Sequence, residues 1–176
     1  MIYRCMTREE FIILLESKGY DYDISGDLII INGGDKKQNI VYLELIDSMP
    51  SDVEFSKNCV GINLYNLKEL PPRVYFNNTS YVNLKSLEYI NTEVAFNNGA
   101  MVHLDSLKEL NPNVKFNNGG YVAVNSLEKI SQDFEFNNNG NVYFSNFNTK
   151  TWGYSIDGIN SGRLLNFVIS KGLLER

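Results

Sequence analysis

Basic residues, histidine and cysteine are all scarce in this chain of 176 residues, and each shortage narrows what the protein can do. Lys and Arg together number 16 against 21 Asp and Glu, a formal net charge of −5. Nucleic-acid binders gather Lys and Arg on one face, so direct binding to nucleic acid is not expected. Adsorption to an anionic membrane surface is disfavoured for the same reason. Cys5 and Cys59 are too few for a disulfide framework and read as reduced, buried thiols of a cytosolic protein. No apolar run approaches the ~20 residues that a membrane-spanning helix needs. The chain opens MIYRCMTREE and passes straight into an acidic helix, not a secretory leader, so a cytoplasmic location is expected. In that compartment the acceptor tripeptide Asn77-Asn78-Thr79 has no glycosylation role.

The machinery of catalysis is equally thin. A nucleophile paired with a base normally draws on histidine, and the sole one is His103. It occupies an outward slot of a repeated strand, in a column shared with Asn63, Asn83, Ala123 and Tyr143, which reads as a variable surface position. One histidine and two unpaired cysteines do not make a zinc site. No glycine-rich phosphate loop leads from a strand into a helix. Asp21-Tyr22-Asp23 places two carboxylates on one face of a strand, but among so many acids nothing singles out a pair for glycoside cleavage. The expectation is a non-enzyme with no cofactor and no metal.

What the chain has in abundance is self-similarity. Phe76, Phe96, Phe116 and Phe136 recur every 20 residues. Val74, Val94, Val114 and Phe134 do the same. So do Val82, Val102, Val122 and Val142; Leu84, Leu104, Val124 and Phe144; and Leu87, Leu107, Leu127 and Phe147. The unit reads V-x-F-N-N-x-x-x-V-x-L-x-S-L-x-x-L/I, with Pro71-Pro72 or Pro112 near the end of some copies. A degenerate copy starts at Val53-Glu54-Phe55 with one extra residue after the phenylalanine. An earlier one runs from Ile29-Ile30-Ile31 to Met49-Pro50 with an Asp35-Lys36-Lys37-Gln38 insertion. About six coils over 28–147 are expected, the outermost least regular, because an end coil must present a polar face to water.

V-x-F and V-x-L alternate with period two and read as strands. Asn-Asn-Gly between them reads as a tight bend, since both residue types tolerate positive φ. One asparagine of each pair is expected to point inward and bond backbone groups, forming a ladder. A calcium role is disfavoured, because calcium-binding rolls repeat an aspartate that is missing here. An array of antiparallel hairpins is the competing geometry. The third apolar cluster, S-L-x-x-L, favours a three-sided coil that buries its apolar face only when stacked on its neighbours.

The segment Val82-Asn83-Leu84-Lys85-Ser86-Leu87-Glu88-Tyr89-Ile90 and its copies resemble the short class of bacterial leucine-rich repeats. The resemblance covers 28–147 and implies a mainly β, leucine-rich-repeat-like solenoid with V-x-L as the concave-face strand. The Asn-Asn bend lies on the other strand from that family's asparagine, so a solenoid is implied more directly than a standard horseshoe. The plan of start helix, repeats and end helix is also similar to that of small repeat proteins of phages and low-GC bacteria.

The ends are expected to be capped. Residues 1–27 form an N-terminal cap: Thr7-Arg8-Glu9-Glu10 is a capping box opening a helix over 8–18, closed by Gly19. A hairpin through Ser25-Gly26-Asp27 then leads into the first coil. Residues 148–176 form a C-terminal cap with a helix over 161–171, and Trp152 plugs the open end.

Alternation sends Tyr81, Met101 and Tyr121 outward in one row, Asn83, His103 and Tyr143 in a second, and Tyr65, Lys85, Asp105 and Asn125 in a third. Aromatic residues and Met are enriched in protein interfaces. Tyr65, Tyr81, Met101, His103, Tyr121 and Tyr143 are therefore the expected contact residues of a non-catalytic protein-interaction module. Two alternatives stay open. The phage-like resemblance together with the negative charge suggests an acidic inhibitor of a host defence or nucleic-acid-binding protein. Rows of aromatics also suit a carbohydrate-binding β-solenoid.

Overall fold

A computed structural model describes residues 5–130, 135–138, 140, 142–144 and 154–156. It is mainly β, a solenoid of parallel stacked coils with about five complete turns. The V-x-F side is a sheet of Leu28–Ile31, Val53–Phe55, Val74–Phe76, Val94–Phe96, Val114–Phe116 and Glu135–Phe136, each strand parallel to the next. The V-x-L side stacks Ile40–Tyr42, Gly61–Asn63, Val82–Asn83, Val102–His103, Val122–Ala123 and Val142–Phe144 in the same way. Short strands at Glu69–Leu70 and Tyr89–Ile90, and at Glu109–Leu110 and Lys129–Ile130, pair along the third side. Parallel pairing throughout these sides rules out the array of hairpins. The sixth coil shows its first two strands; the expected C-terminal helix and Trp152 lie outside the described residues.

Registration is residue on residue: Phe55 pairs with Phe76, Phe76 with Phe96 and Phe96 with Phe116. Their rings form a continuous stack inside the coil, with centroids 5.0, 5.0 and 4.9 Å apart and planes within 8° of parallel. That spacing is the distance between neighbouring strands, about 4.8 Å, so the rings repeat because the backbone does. Val, Leu and Ile columns fill the other two inner sides and are fully buried.

The asparagines form two ladders. Asn78, Asn98, Asn118 and Asn138 point inward and are buried. Each donates from Nδ2 to backbone carbonyls at the bend, as Asn98 does to Ser80 (2.7 Å) and Met101 (3.1 Å). Asn77, Asn97 and Asn117 face outward, and Nδ2 of each successive residue donates to Oδ1 of the one before, at 2.8 and 2.9 Å. In the second coil Cys59 takes the inward slot: its carbonyl accepts from Thr79 N as that of Asn78 accepts from Gly99 N. Cys59 is fully buried and its Sγ donates to the Ile31 carbonyl, 3.3 Å away. Cys5, by contrast, is exposed, which corrects the reading of both thiols as buried.

The bend chemistry also differs from expectation. The Asn-Asn-Gly segments do not use positive φ. The recurring left-handed residues are Asp52, Arg73, Glu93 and Asn113, with φ of 58° to 62°, at the opposite corner just before each V-x-F strand; Asn39 (φ 55°), after the Asp35–Gln38 insertion, precedes the V-x-L strand of the first coil alone. Glycine is needed at the asparagine bend for room instead. A Cβ on Gly99 would sit 1.9 Å from the Thr79 carbonyl oxygen, and one on Gly119 would sit 2.3 Å from that of Gly99.

The N-terminal end is closed by helix α1, Arg8–Lys18, with both capping-box bonds made and Gly19 left-handed at φ 63°. Phe11 and Leu15 cover the end of the core. Strand Tyr22–Ser25 pairs antiparallel with Leu28–Ile31 across a turn at Gly26 (φ 62°). The raw edge of the V-x-L sheet is closed without a strand. The Tyr20 hydroxyl donates to the Tyr42 carbonyl (3.2 Å) and accepts from the Tyr42 N–H (3.0 Å). Asp35 does the same for Ile40, through its own N–H and its carboxylate. The four outward backbone groups of this edge are thereby satisfied, which removes a template for aggregation.

Crowding, not dihedral preference, should dominate substitutions at the bend. Gly99→Ala is expected to lower stability by about 2 kcal/mol in urea unfolding, an overpacking cost. Thr79→Ala, one coil earlier in the same column, should change it by less than about 0.5 kcal/mol.

Candidate functional site

The V-x-L side is the face on which chemistry-bearing side chains collect. Alternation buries Val82, Leu84, Val102, Leu104, Val122 and Val124 and turns the intervening residues outward. Tyr81, Met101 and Tyr121 form one outward row; Tyr42, Asn63, Asn83, His103 and Tyr143 form the next; Glu44, Tyr65, Lys85, Asp105 and Asn125 form the third.

Two clusters emerge along these rows. In the first, the Tyr81 ring lies over Gly61, where a Cβ would meet it at 2.5 Å. Tyr81 reaches Tyr42, whose backbone is held by Tyr20. Burial raises the Tyr81 phenol above its ordinary pKa, and the hydrogen bond with Tyr42 and the charges of Asp35 and Glu44 act in the same direction. Asn63 Nδ2 donates to Glu44 Oε1 at 2.9 Å, fixing that carboxylate at the edge of the cluster.

The second cluster centres on Tyr121. Its Oη lies 3.0 Å from His103 Nε2 and 3.3 Å from Met101 Sδ. The His103 ring meets Tyr121 edge-on, at 5.4 Å and 88°, and Tyr143 closes the other side at 5.3 Å and 80°. Asp105 Oδ2 stands 3.8 Å from His103 Nδ1. The Tyr121 hydroxyl has one proton to share between these two neighbours: donated to Met101 Sδ, it leaves Oη to accept from an Nε2–H, and donated to Nε2 it requires the Nδ1–H tautomer. Burial holds the His103 pKa below its ordinary value, against the opposing pull of Asp105. Burial likewise raises the Tyr121 phenol.

Of the expected contact residues, Met101, His103, Tyr121 and Tyr143 come together, and Tyr81 belongs to the neighbouring cluster. Tyr65 is on the same face but on the outer row, 45% exposed and outside both clusters. Tyr42, Gly61 and Glu44 were not among the expected residues. The signal for Tyr42 was present: aligning Val41 and Leu43 with Ile62 and Leu64 puts it in the His103 column. The Gly61 slot could not be read, because it depends on where a ring from the next coil lies.

Other surfaces offer less. A cleft lined by Cys5, Asp47, Ser48, Met49, Lys68, Glu69 and Pro71 measures only 90 Å³, well below the ~300 Å³ and more of small-molecule pockets. Among the described residues no group of three His, Cys, Asp or Glu could hold a metal ion. No helix among them is long and apolar enough to cross a membrane. The third side carries a column of alternating charge, Asp47, Lys68, Glu88, Lys108 and Glu128. Lys68 Nζ sits 2.8 Å from Glu88 Oε1 and lowers that carboxyl's pKa. No family model, curated protein or solved structure matches the chain.

The depressed His103 pKa has a defined sign. As pH falls below 6.5 the unfolded chain takes up a proton on this imidazole before the folded one does, so stability is lost in that window and is unaffected above it. His103→Asn, which installs the residue found at Asn83, should flatten this part of the curve. Thermal unfolding of both proteins across pH 5 to 8 checks it; parallel curves would contradict the burial of His103.

Proposed function

We propose that the protein is a non-catalytic interaction module that captures a protein partner on its V-x-L face. The observation that carries this reading is the continuous Met101–His103–Tyr121–Tyr143 cluster beside Tyr81 on one sheet. Aromatic rings and a thioether at a half-exposed surface are the residues that contribute most when an interface closes over them. The support beneath them is stiff: His103 stands between the buried Val102 and Leu104, Met101 and Tyr121 each adjoin a buried valine, and the strands Val102–His103 and Val122–Ala123 are paired on both sides. Little conformational entropy remains to be lost on docking. The resemblance to short leucine-rich repeats makes this the concave-face strand. Two unpaired cysteines fit action in the cytoplasm of a bacterial or phage-infected cell.

Glu44 and Asp105 flank the aromatic rows, which favours a second reading: an acidic inhibitor that occupies the basic site of a host protein. Stacking on a glycan is less well supported, since Tyr121 and Tyr143 meet edge to face and do not offer coplanar rings.

Partners recovered by affinity purification from the native host would supply the ligand. Tyr81→Ala combined with Tyr121→Ala should then weaken binding by about 30-fold or more, the scale of losing one or two interface hot spots, with the unfolding midpoint little changed. Equal recovery of the partner by the double variant would overturn the assignment of this face. A steep loss of affinity with added salt would favour the acidic-inhibitor reading over an apolar contact.

A further inference from the structure

The second cluster has a property that partner binding does not require. Met101 and His103 lie either side of the buried Val102, at and just before the strand Val102–His103, share a face, and direct their donor atoms at a single point. That point is now filled by Tyr121 Oη, 3.3 Å from the thioether sulfur and 3.0 Å from the imidazole nitrogen. Both are soft or borderline ligands. A carboxylate also backs the imidazole. Asp105 Oδ2 stands 3.8 Å behind Nδ1, on the side from which a carboxylate can orient a metal-bound imidazole. The cluster is open to solvent on one side, with the His103 side chain 23% exposed.

We propose that Met101 Sδ and His103 Nε2 form a binding site for a soft monovalent ion of the Cu(I) or Ag(I) type, which displaces the Tyr121 hydroxyl from between them. The Tyr121 ring, braced by Tyr143, then covers the ion. Zinc is not the expected occupant, because it takes Cys, His and carboxylate ligands and has little use for a thioether. The site stands on these distances alone and does not depend on the partner-binding reading.

The exposed thiol of Cys5 would compete for such ions, so the test uses Cys5→Ser protein. Cys59 is buried, with its thiol pushed up to about 11 by desolvation, and stays out of reach in the folded state. Titration with silver nitrate in chloride-free buffer, followed by calorimetry and by ¹H–¹³C NMR, should show one equivalent bound. The Met101 methyl and the His103 ring should shift together. Met101→Leu and His103→Asn should each weaken binding by at least about tenfold while leaving the unfolding midpoint near that of the parent. Affinity within twofold of the parent in either variant would overturn the site. So would Ag(I) shifts confined to His103, or Zn(II) binding more tightly than Ag(I). Loss of partner capture in the tyrosine double variant would bear on the interaction face alone.

Discussion

In-register stacking of parallel coils is the constraint from which the rest of this structure follows. Each position in the coil meets copies of itself above and below at about 4.8 Å. A residue is therefore chosen for how it stacks on its own column as much as for what it does within its strand. Phenylalanine at the end of V-x-F stacks ring on ring. Asparagine passes a hydrogen bond to the next asparagine. Charges would repel if repeated, and the third side alternates them from Asp47 to Glu128. At the asparagine bend the backbones come so close that a Cβ on Gly99 or Gly119 would collide with the coil below.

This constraint explains why so much of the architecture was legible in the sequence and where legibility stopped. Spacing by 20 exposes every column at once, so the strands, the inward asparagine and the phenylalanine stack could be read directly. The helix cap was equally plain, because Thr7 and Glu10 interact within one turn. The left-handed corner was invisible because Asp52, Arg73, Glu93 and Asn113 share no residue type; the backbone imposes their conformation and the side chains merely tolerate it. The role of the bend glycines was misread for a related reason. Positive φ is a local property that a dipeptide suggests, whereas the crowding that requires glycine comes from a carbonyl a full coil away. Tyr20 was equally hard to place, since its two bonds to Tyr42 span 22 residues and lie outside the repeat.

The face proposed for binding was visible as rows but not as clusters. Periodicity shows that Tyr81, Met101 and Tyr121 share a row. It does not show that Tyr81 leans over Gly61, or that Tyr121 turns its hydroxyl toward His103 and Met101. Those preferences arise where the columns break their own repeat: a glycine under a tyrosine, or a single histidine beside a methionine. A regular solenoid supplies a rigid lattice, and the departures from regularity on one face supply its chemical character.

The account depends on coils being interchangeable layers, and removing one layer tests that most directly. Deleting residues 94–113, one full period, should leave a cooperatively folded protein with the same far-UV circular dichroism per residue and a somewhat lower urea midpoint, because Val114–Phe116 would stack on Val74–Phe76. Deleting 94–103, half a period, would set V-x-F strands against V-x-L positions and should abolish cooperative unfolding. If the full-period deletion unfolds the protein as completely as the half-period one, stacking in register is not what holds this chain together.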